Sequence, residues 1–149
     1  MATQIIHIKQ DFAVPAIKVF NFFSDHNRLP EIWPGPIKRI RESDDPENIN
    51  GVGSARLIGF SVFAFEETVE KVRNPDLIEY TISKGSPIKN HYGVMKFIDN
   101  TENTSHMDYQ ITLESKIPFT TCLLKFILQS IIGNGVRNLA KRFKENPLY

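Results

Sequence analysis

The first third of the chain has the pattern of one strand followed by short helices. Residues 3–12 alternate between apolar and polar side chains, with Ile6 and Ile8 on one face, which predicts a strand. Pro15 then stands where a helix can begin, because the first turn of a helix does not use the N–H that proline lacks. Apolar residues recur at helical spacing after it, namely Ile17, Phe20, Phe23, Leu29 and Ile32. We therefore expect one or two short helices, ended by the Trp-Pro-Gly-Pro run at 33–36.

Between residues 37 and 115 the pattern changes to short strands separated by turns. Clusters of Gly, Pro, Asn, Asp and Ser interrupt the strands every 8–15 residues, which is typical of an antiparallel meander. The predicted strands cover residues 37–42, 54–59, 62–72, 77–84, 91–98 and 106–115. In the third of these, alternation places Phe63, Phe65, Glu67 and Val69 on one face. That face is the apolar one, so Glu67 is expected to point inward.

A long helix is predicted over residues 119–144, starting just after Pro118. Apolar residues cover most of the circumference of its first half, and such a helix is usually buried on more than one side. Cys122 lies within this apolar surface and is expected to be a small core residue rather than a nucleophile. Gly133 and Gly135 should weaken the middle of the helix, by about 1 kcal/mol each relative to alanine.

The apolar strip on the first half of this helix exceeds what one sheet can cover. Formation of a homodimer through residues 119–132 is the favoured way to cover this strip. Burying apolar surface gains about 25 cal/mol per Å² before the costs of association. Adsorption to a membrane surface is the second alternative, disfavoured by the sparse flanking charge at Lys116 and Lys125. The third alternative is that the short helices of the same chain cover the strip.

The order of elements predicts an α+β fold with a curved, six- to seven-stranded antiparallel sheet around a long C-terminal helix. Two short helices follow the first strand. An antiparallel sheet commonly has one apolar face, and only the C-terminal helix is large enough to cover it. The space left between sheet and helix predicts an internal cavity, on the order of 300–1,000 Å³ if it takes a ligand. No repeat or linker divides residues 1–149, so one domain is expected.

Composition narrows the classes of function. The 149 residues carry 18 basic and 17 acidic side chains, a net charge of +1, whereas nucleic-acid binders usually show a basic excess. Nucleic acid is therefore not an expected partner. The single cysteine rules out a disulfide framework within the chain and a cysteine-based zinc site. With neither a signal-peptide pattern at the start nor an apolar run long enough to span a membrane, we expect a soluble, cytoplasmic protein.

Neither a metal site nor a cofactor is expected. The four histidines, His7, His26, His91 and His106, are scattered without metal-ligand spacing. The Gly51-x-Gly53 pair precedes a strand rather than a helix, so it is a turn and not a phosphate-binding loop.

Several segments occur in the order and spacing of a known superfamily. The first helix contributes Pro15, Val19-Phe20 and Phe23-Ser24-Asp25, and Trp33 closes the helical pair. The strand region contributes Gly51-Val52-Gly53-Ser54-Ala55-Arg56, Glu66-Glu67-Thr68-Val69-Glu70, Asn74-Pro75, Leu77-Ile78-Glu79-Tyr80, Gly85-Ser86-Pro87 and His91-Tyr92-Gly93. Together these segments resemble the START, birch-pollen-allergen-like and polyketide cyclase superfamily (SRPBCC) over essentially the whole chain. The resemblance implies the helix-grip fold.

The resemblance also implies a hydrophobic cavity for a lipid, steroid, polyketide or other aromatic ligand. Some members of the superfamily are cyclases, aromatases or dehydratases, and others only carry or sense such molecules, so the fold alone does not decide the function. The expected function is binding or transport of a small hydrophobic ligand. The alternative is a cofactor-independent, polyketide cyclase- or dehydratase-like enzyme with an acid/base residue in the cavity.

Strand alternation selects the residues that should line this cavity. Glu67 and His91 are the candidate catalytic residues, because a carboxyl group or an imidazole in an apolar cavity can act as a general acid or base. Glu67 could instead pair with Arg56 on the neighbouring strand or lie exposed at the rim, and His91 could be a wall residue. Tyr80 and Tyr109 either orient a ligand through their phenols or pack by their rings. The other expected ligand-binding residues are Trp33, Arg56, Phe65, Met95, Leu124 and Ile131.

Overall fold

The structure, a computed structural model, describes residues 3–149. Its strands are β1 (Gln4–Phe12), β2 (Ile37–Arg41), β3 (Ala55–Ile58), β4 (Phe65–Arg73), β5 (Leu77–Lys84), β6 (Ile88–Thr101) and β7 (Thr104–Ser115). Its helices are α1 (Ala16–Ser24) and α2 (Thr121–Glu145), with short 3₁₀ helices at Leu29–Glu31 and Ser61–Phe63. Within the described residues the strands form one antiparallel sheet in the order β1-β7-β6-β5-β4-β3-β2. The predicted α+β helix-grip architecture is confirmed, with seven strands.

One predicted strand begins later than expected. Strand β4 starts at Phe65 rather than at residue 62, because residues 61–63 form a 3₁₀ helix. Ser61 has a φ of 57° there, which takes the backbone out of the extended conformation. Phe63 consequently lies outside the sheet and is 81% exposed, so the prediction that it points inward is wrong.

The core lies between the concave face of the sheet, α1 and the second half of α2. Val136, Leu139 and Phe143 of α2 are fully buried. The Phe143 ring meets Phe12 of β1 and Phe22 of α1 edge-on, with centroid distances of 6.2 and 6.5 Å. Edge-to-face contacts at this distance are favourable for aromatic rings. These contacts fix the second half of α2 against the end of β1 and against α1.

Helix α2 is continuous through its two glycines. A Cβ atom at Gly135 would overlap the carbonyl oxygen of Ile32, whereas a Cβ at Gly133 would meet only the flexible Arg137 side chain at 3.8 Å. Gly135 therefore lets the segment after the first 3₁₀ helix pack directly on the backbone of α2. This contact places Leu29, Ile32 and Trp33 over one end of the sheet.

The first half of α2 is largely uncovered. Leu123, Phe126 and Ile127 are exposed, so the short helices of the chain do not cover the apolar strip. Cys122 is also exposed, and the prediction that it is a core residue is wrong. An all-round apolar pattern gave no indication of which side of the helix faces the sheet. Within residues 3–149, no helix is long and apolar enough to cross a membrane.

Candidate functional site

A cavity of about 90 Å³ lies between the sheet, the 29–33 segment and α2. Its apolar wall includes Phe23, Leu29, Ile32, Ile58, Ile82 and Ile88. The cavity is smaller than the 300–1,000 Å³ range expected from the sequence. Large side chains from the sheet and α1 fill much of the space that the curvature of the sheet creates.

Most residues of the predicted ligand-binding set line this cavity. These are Trp33, Arg56, Phe65, Glu67, Tyr80, His91, Met95 and Tyr109. The two residues predicted on the helix, Leu124 and Ile131, do not line it, and Leu128 and Ile132 do so instead. Leu128 and Ile132 are four positions apart and share one face of the helix. Leu124, one turn earlier on that side, packs against the core cluster.

Arg56 and Glu67 form a buried ion pair on neighbouring strands. They are directly opposite each other in the register of β3 and β4. Arg56 Nε donates to Glu67 Oε2 at 2.8 Å, and Arg56 Nη2 lies 2.7 Å from the same oxygen. Both side chains are more than nine-tenths buried. Of the alternatives for Glu67, the structure shows the ion pair, and it turns Arg56 toward the cavity.

Burial alone would lower the pKa of Arg56, but the Glu67 carboxylate beside it more than offsets that effect and raises the pKa. The guanidinium also stacks on Tyr80, with its central carbon 5.1 Å from the ring centroid. A desolvated cation over an aromatic face is attracted by the quadrupole of the ring. Arg56 is thus held as a cation by a carboxylate and a ring together.

Tyr80 and Tyr109 reach each other across the intervening strand β6. Their hydroxyl groups are hydrogen-bonded. Gly93 of β6 pairs with Tyr80, and a Cβ atom at this position would overlap the Tyr80 ring. The glycine therefore leaves the space in which the ring lies. Burial raises the pKa of both tyrosines, and the proximity of Tyr109 and Glu67 raises that of Tyr80 further, so both phenols stay neutral.

His91 completes the polar wall. Its ring centroid lies 5.4 Å from that of Tyr80, and its Nδ1 is buried without a hydrogen-bond partner in the structure. Burial lowers the pKa of His91, which keeps the imidazole neutral near pH 7. The ring can therefore exchange hydrogen bonds with a bound molecule but does not add a charge.

Sequence reasoning gave no role to a second buried histidine, His26. It follows α1, is almost fully buried, and has an Nδ1 without a hydrogen-bond partner. Burial, and then the positive charges of Arg56 and Arg39, lower its pKa to about 3. His26 does not line the cavity. Its position after a helix of nine residues offered no periodic signal, because burial there depends on tertiary packing.

The polar wall as a whole is electrically neutral. One cation is paired with one anion, and the two phenols and the imidazole are uncharged. This wall offers hydroxyl, imidazole and carboxylate groups to a molecule that is otherwise surrounded by apolar side chains. Among residues 3–149, no group of three or more His, Cys, Asp or Glu side chains is placed to hold a metal ion.

A family model described as polyketide cyclase/dehydrase and lipid transport matches residues 3–144. The chain belongs to this family. Membership in the polyketide cyclase/dehydrase and lipid transport family agrees with the SRPBCC resemblance of the sequence motifs. No curated protein matches the chain in sequence.

Solved structures show the same fold for this member of the polyketide cyclase/dehydrase and lipid transport family. A START superfamily protein from Mycobacterium smegmatis superposes with a TM-score of 0.77 at 11% identity, covering 95% of this chain and 97% of that one. Norcoclaurine synthase from Thalictrum flavum, in complex with dopamine and hydroxybenzaldehyde, gives 0.67 at 14% identity, with coverages of 95% and 88%. The protein XoxI from Bacillus cereus gives 0.70 at 14% identity and covers both chains fully.

Proposed function

We propose that the chain binds a small, uncharged, mainly apolar molecule that carries a hydroxyl or carbonyl group. One observation supports this most directly: a neutral cluster of Arg56, Glu67, Tyr80 and Tyr109 lies in the wall of an otherwise apolar cavity. Burying an ion pair costs more desolvation than a packed apolar core would. A polar wall of this kind is typical of binding cavities, where a few polar groups orient an apolar ligand.

His91 supports the same proposal. A buried nitrogen without a partner costs free energy, and such atoms are rare in folded proteins. Because His91 lines the cavity, a ligand hydroxyl can supply the missing hydrogen bond. The norcoclaurine synthase structure, which holds dopamine and hydroxybenzaldehyde, offers an analogy for small aromatic molecules in this fold.

The size of the cavity limits the ligand. An engineered cavity of about 150 Å³ takes up benzene, so the 90 Å³ cavity is small even for a single aromatic ring as it stands. Larger lipid or polyketide ligands require the wall to move. We propose that the movable part is the first half of α2, which contributes Leu128 and Ile132 to the wall while its outer side is uncovered.

A cyclase- or dehydratase-like enzyme is the second candidate. Both short contacts from Arg56 reach Oε2 of Glu67, which leaves Oε1 for a ligand. Glu67 would then accept or return a proton at a reacting atom, with the neutral His91 beside it as a second acid/base group.

The first experiment is native mass spectrometry of the purified protein, followed by thermal-shift titration with small neutral phenols, alcohols and ketones. We expect a bound molecule or a rise in melting temperature.

Tyr109→Phe should weaken binding of the molecule by about three- to tenfold, the change in affinity expected for the loss of one hydrogen bond. Tyr92→Phe is the matched control, because Tyr92 bonds Glu79 on the exposed face of the sheet. Only unliganded protein and no thermal shift with any compound would contradict the proposal.

The second experiment separates binding from catalysis. The molecule found to bind is incubated with the wild type and with Glu67→Gln, and the products are followed by mass-resolved chromatography. Product formation by the wild type alone would support the enzyme. A ligand recovered unchanged from the wild type supports a binding protein.

A further inference from the structure

Six large apolar side chains protrude at one end of the molecule. Each is at least 61% exposed, and among residues 3–149 the only other large apolar side chain as exposed as these is Leu148. They belong to the β3–β4 turn, to the β7–α2 connection and to the first turns of α2. We call this set the apolar rim: Phe60, Val62, Phe63, Phe119, Leu123 and Phe126.

The apolar rim lies at the cavity end of the sheet. The register of the antiparallel strands brings the β3–β4 turn, the β5–β6 turn and the β7–α2 connection to the same end. Direct contacts join the last two of these, because the backbone N–H of Lys116 donates to the carbonyl of Pro87 at 2.7 Å and its Nζ to that of Ser86 at 3.1 Å. Ile58 and Phe65, which flank the β3–β4 turn, line the cavity.

The turn and connection segments at this end carry charge of a single sign. Segments 59–64, 84–90 and 116–127 contain four lysines and neither arginine nor any acidic residue. Lys89 pairs with Glu114, whereas Lys84 and Lys116 are exposed and Lys125 is half-buried beside the rim. Protruding aromatic and aliphatic side chains among lysines are typical of surfaces that lie in the headgroup region of a bilayer.

The same charges argue against a protein partner. In a two-fold dimer the same patch meets itself, so a rim with lysines only would place like charges against each other. Protein interfaces are also enriched in arginine and depleted of lysine. Each lysine near an anionic lipid surface, by contrast, is attracted to it.

Phe119 adds an independent observation. Its φ is 64°, in the left-handed region that disfavours bulky side chains, and its side chain is 102% exposed. No packing within residues 3–149 compensates for this conformation.

We propose that the apolar rim docks on a membrane surface containing anionic phospholipid. The apolar side chains enter the headgroup region, and Lys84, Lys116 and Lys125 lie against the phosphates. This docking is independent of whether the cavity holds a ligand.

The first test compares apolar variants in vesicle co-sedimentation. Vesicles of phosphatidylcholine with phosphatidylglycerol should bind the wild type, and Phe63→Ser with Phe126→Ser should bind at least tenfold more weakly, about the loss expected for apolar burial. Val52→Ser with Ile98→Ser is the control, because these exposed residues lie toward the other end of the sheet. An equal loss in both double variants, or folded wild type that stays in solution with these vesicles, overturns the proposal.

The second test changes charge alone. Lys84→Gln with Lys125→Gln should reduce binding to the anionic vesicles by about fivefold per lysine and leave binding to pure phosphatidylcholine unchanged. Lys141→Gln with Lys144→Gln removes the same charge from the far end of α2 and should have a much smaller effect. Equal effects of the two pairs would mean that net charge, not the rim, binds lipid.

The third test uses the strain at Phe119. Phe119→Asn should raise the melting temperature, because asparagine tolerates a positive φ, while it lowers vesicle binding. A purely structural role would lower the melting temperature instead.

Sedimentation equilibrium tests the homodimer expected from the sequence. A wild-type dimer that Phe126→Glu converts to a folded monomer would assign the rim to a second copy of this chain and overturn docking on lipid.

Discussion

At the scale of single residues, the Arg56–Glu67 pair is the most costly feature of the cavity. Each partner is buried and depends on the other for compensation of its charge. Arg56→Met should therefore reduce the free energy of unfolding by about 3–5 kcal/mol, because it leaves Glu67 buried and unpaired. Urea unfolding monitored by circular dichroism measures this loss. The double variant with Glu67→Leu should recover most of it, and a double variant as unstable as the sum of the two single variants would contradict this account.

Gly93 gives a second prediction at this scale. A methyl group there would overlap the Tyr80 ring, so Gly93→Ala should displace the ring and break its hydrogen bond to Tyr109. Overpacking of this kind costs about 1–3 kcal/mol of stability. A crystal structure of the variant would show the displacement. An unmoved Tyr80 with unchanged stability would mean that the glycine has no role in placing the ring.

At the scale of elements, the two glycines of helix α2 give predictions of opposite sign. Gly133→Ala should stabilise the protein by up to about 1 kcal/mol, because alanine favours the helix and the added methyl meets only a flexible side chain. Gly135→Ala should destabilise it, because the methyl would overlap the carbonyl of Ile32. Thermal unfolding of the two variants measures both signs. Stabilisation by both would show that the 29–33 segment is free to shift away.

The helices and strands were largely predictable from the sequence, whereas the side of α2 that faces the cavity was not. Turn residues gave the strand bounds, and alternation placed Glu67, Tyr80 and His91 in the cavity wall because each strand has only two faces. Helix α2 is apolar on nearly all sides of its first half, so Leu128 and Ile132 could not be distinguished from Leu124 and Ile131. The small volume of the cavity depends on packing between distant elements, which no local pattern records.

At the scale of the whole molecule, the buried histidines couple stability to pH. The pKa of His26 falls from the ordinary value of 6.5 to about 3 in the folded protein. Below about pH 6.5 the unfolded chain therefore binds a proton that the folded chain does not, and stability falls as the pH is lowered. The slope approaches about 1.4 kcal/mol per pH unit for each such group. His91, with its pKa lowered in the same direction, adds to this fall.

The contribution of His26 is measured by urea unfolding of the wild type and of His26→Asn between about pH 7 and pH 5.5. Histidine is the side chain that ordinarily titrates in this range. The variant should show a shallower dependence on pH, whatever its stability at pH 7. Equal slopes would mean that His26 is protonated to the same extent in both states.

The order of strands in the sheet has a consequence for how fast the protein folds. Strand β1 is at an edge, and its sheet partner is β7. The pairs run from Gln4 with Leu113 to Phe12 with Ser105, so roughly a hundred residues separate the partners. Closing so long a loop costs chain entropy before any contact forms, which slows folding. During synthesis, β1 therefore leaves the ribosome roughly a hundred residues before β7, its partner strand.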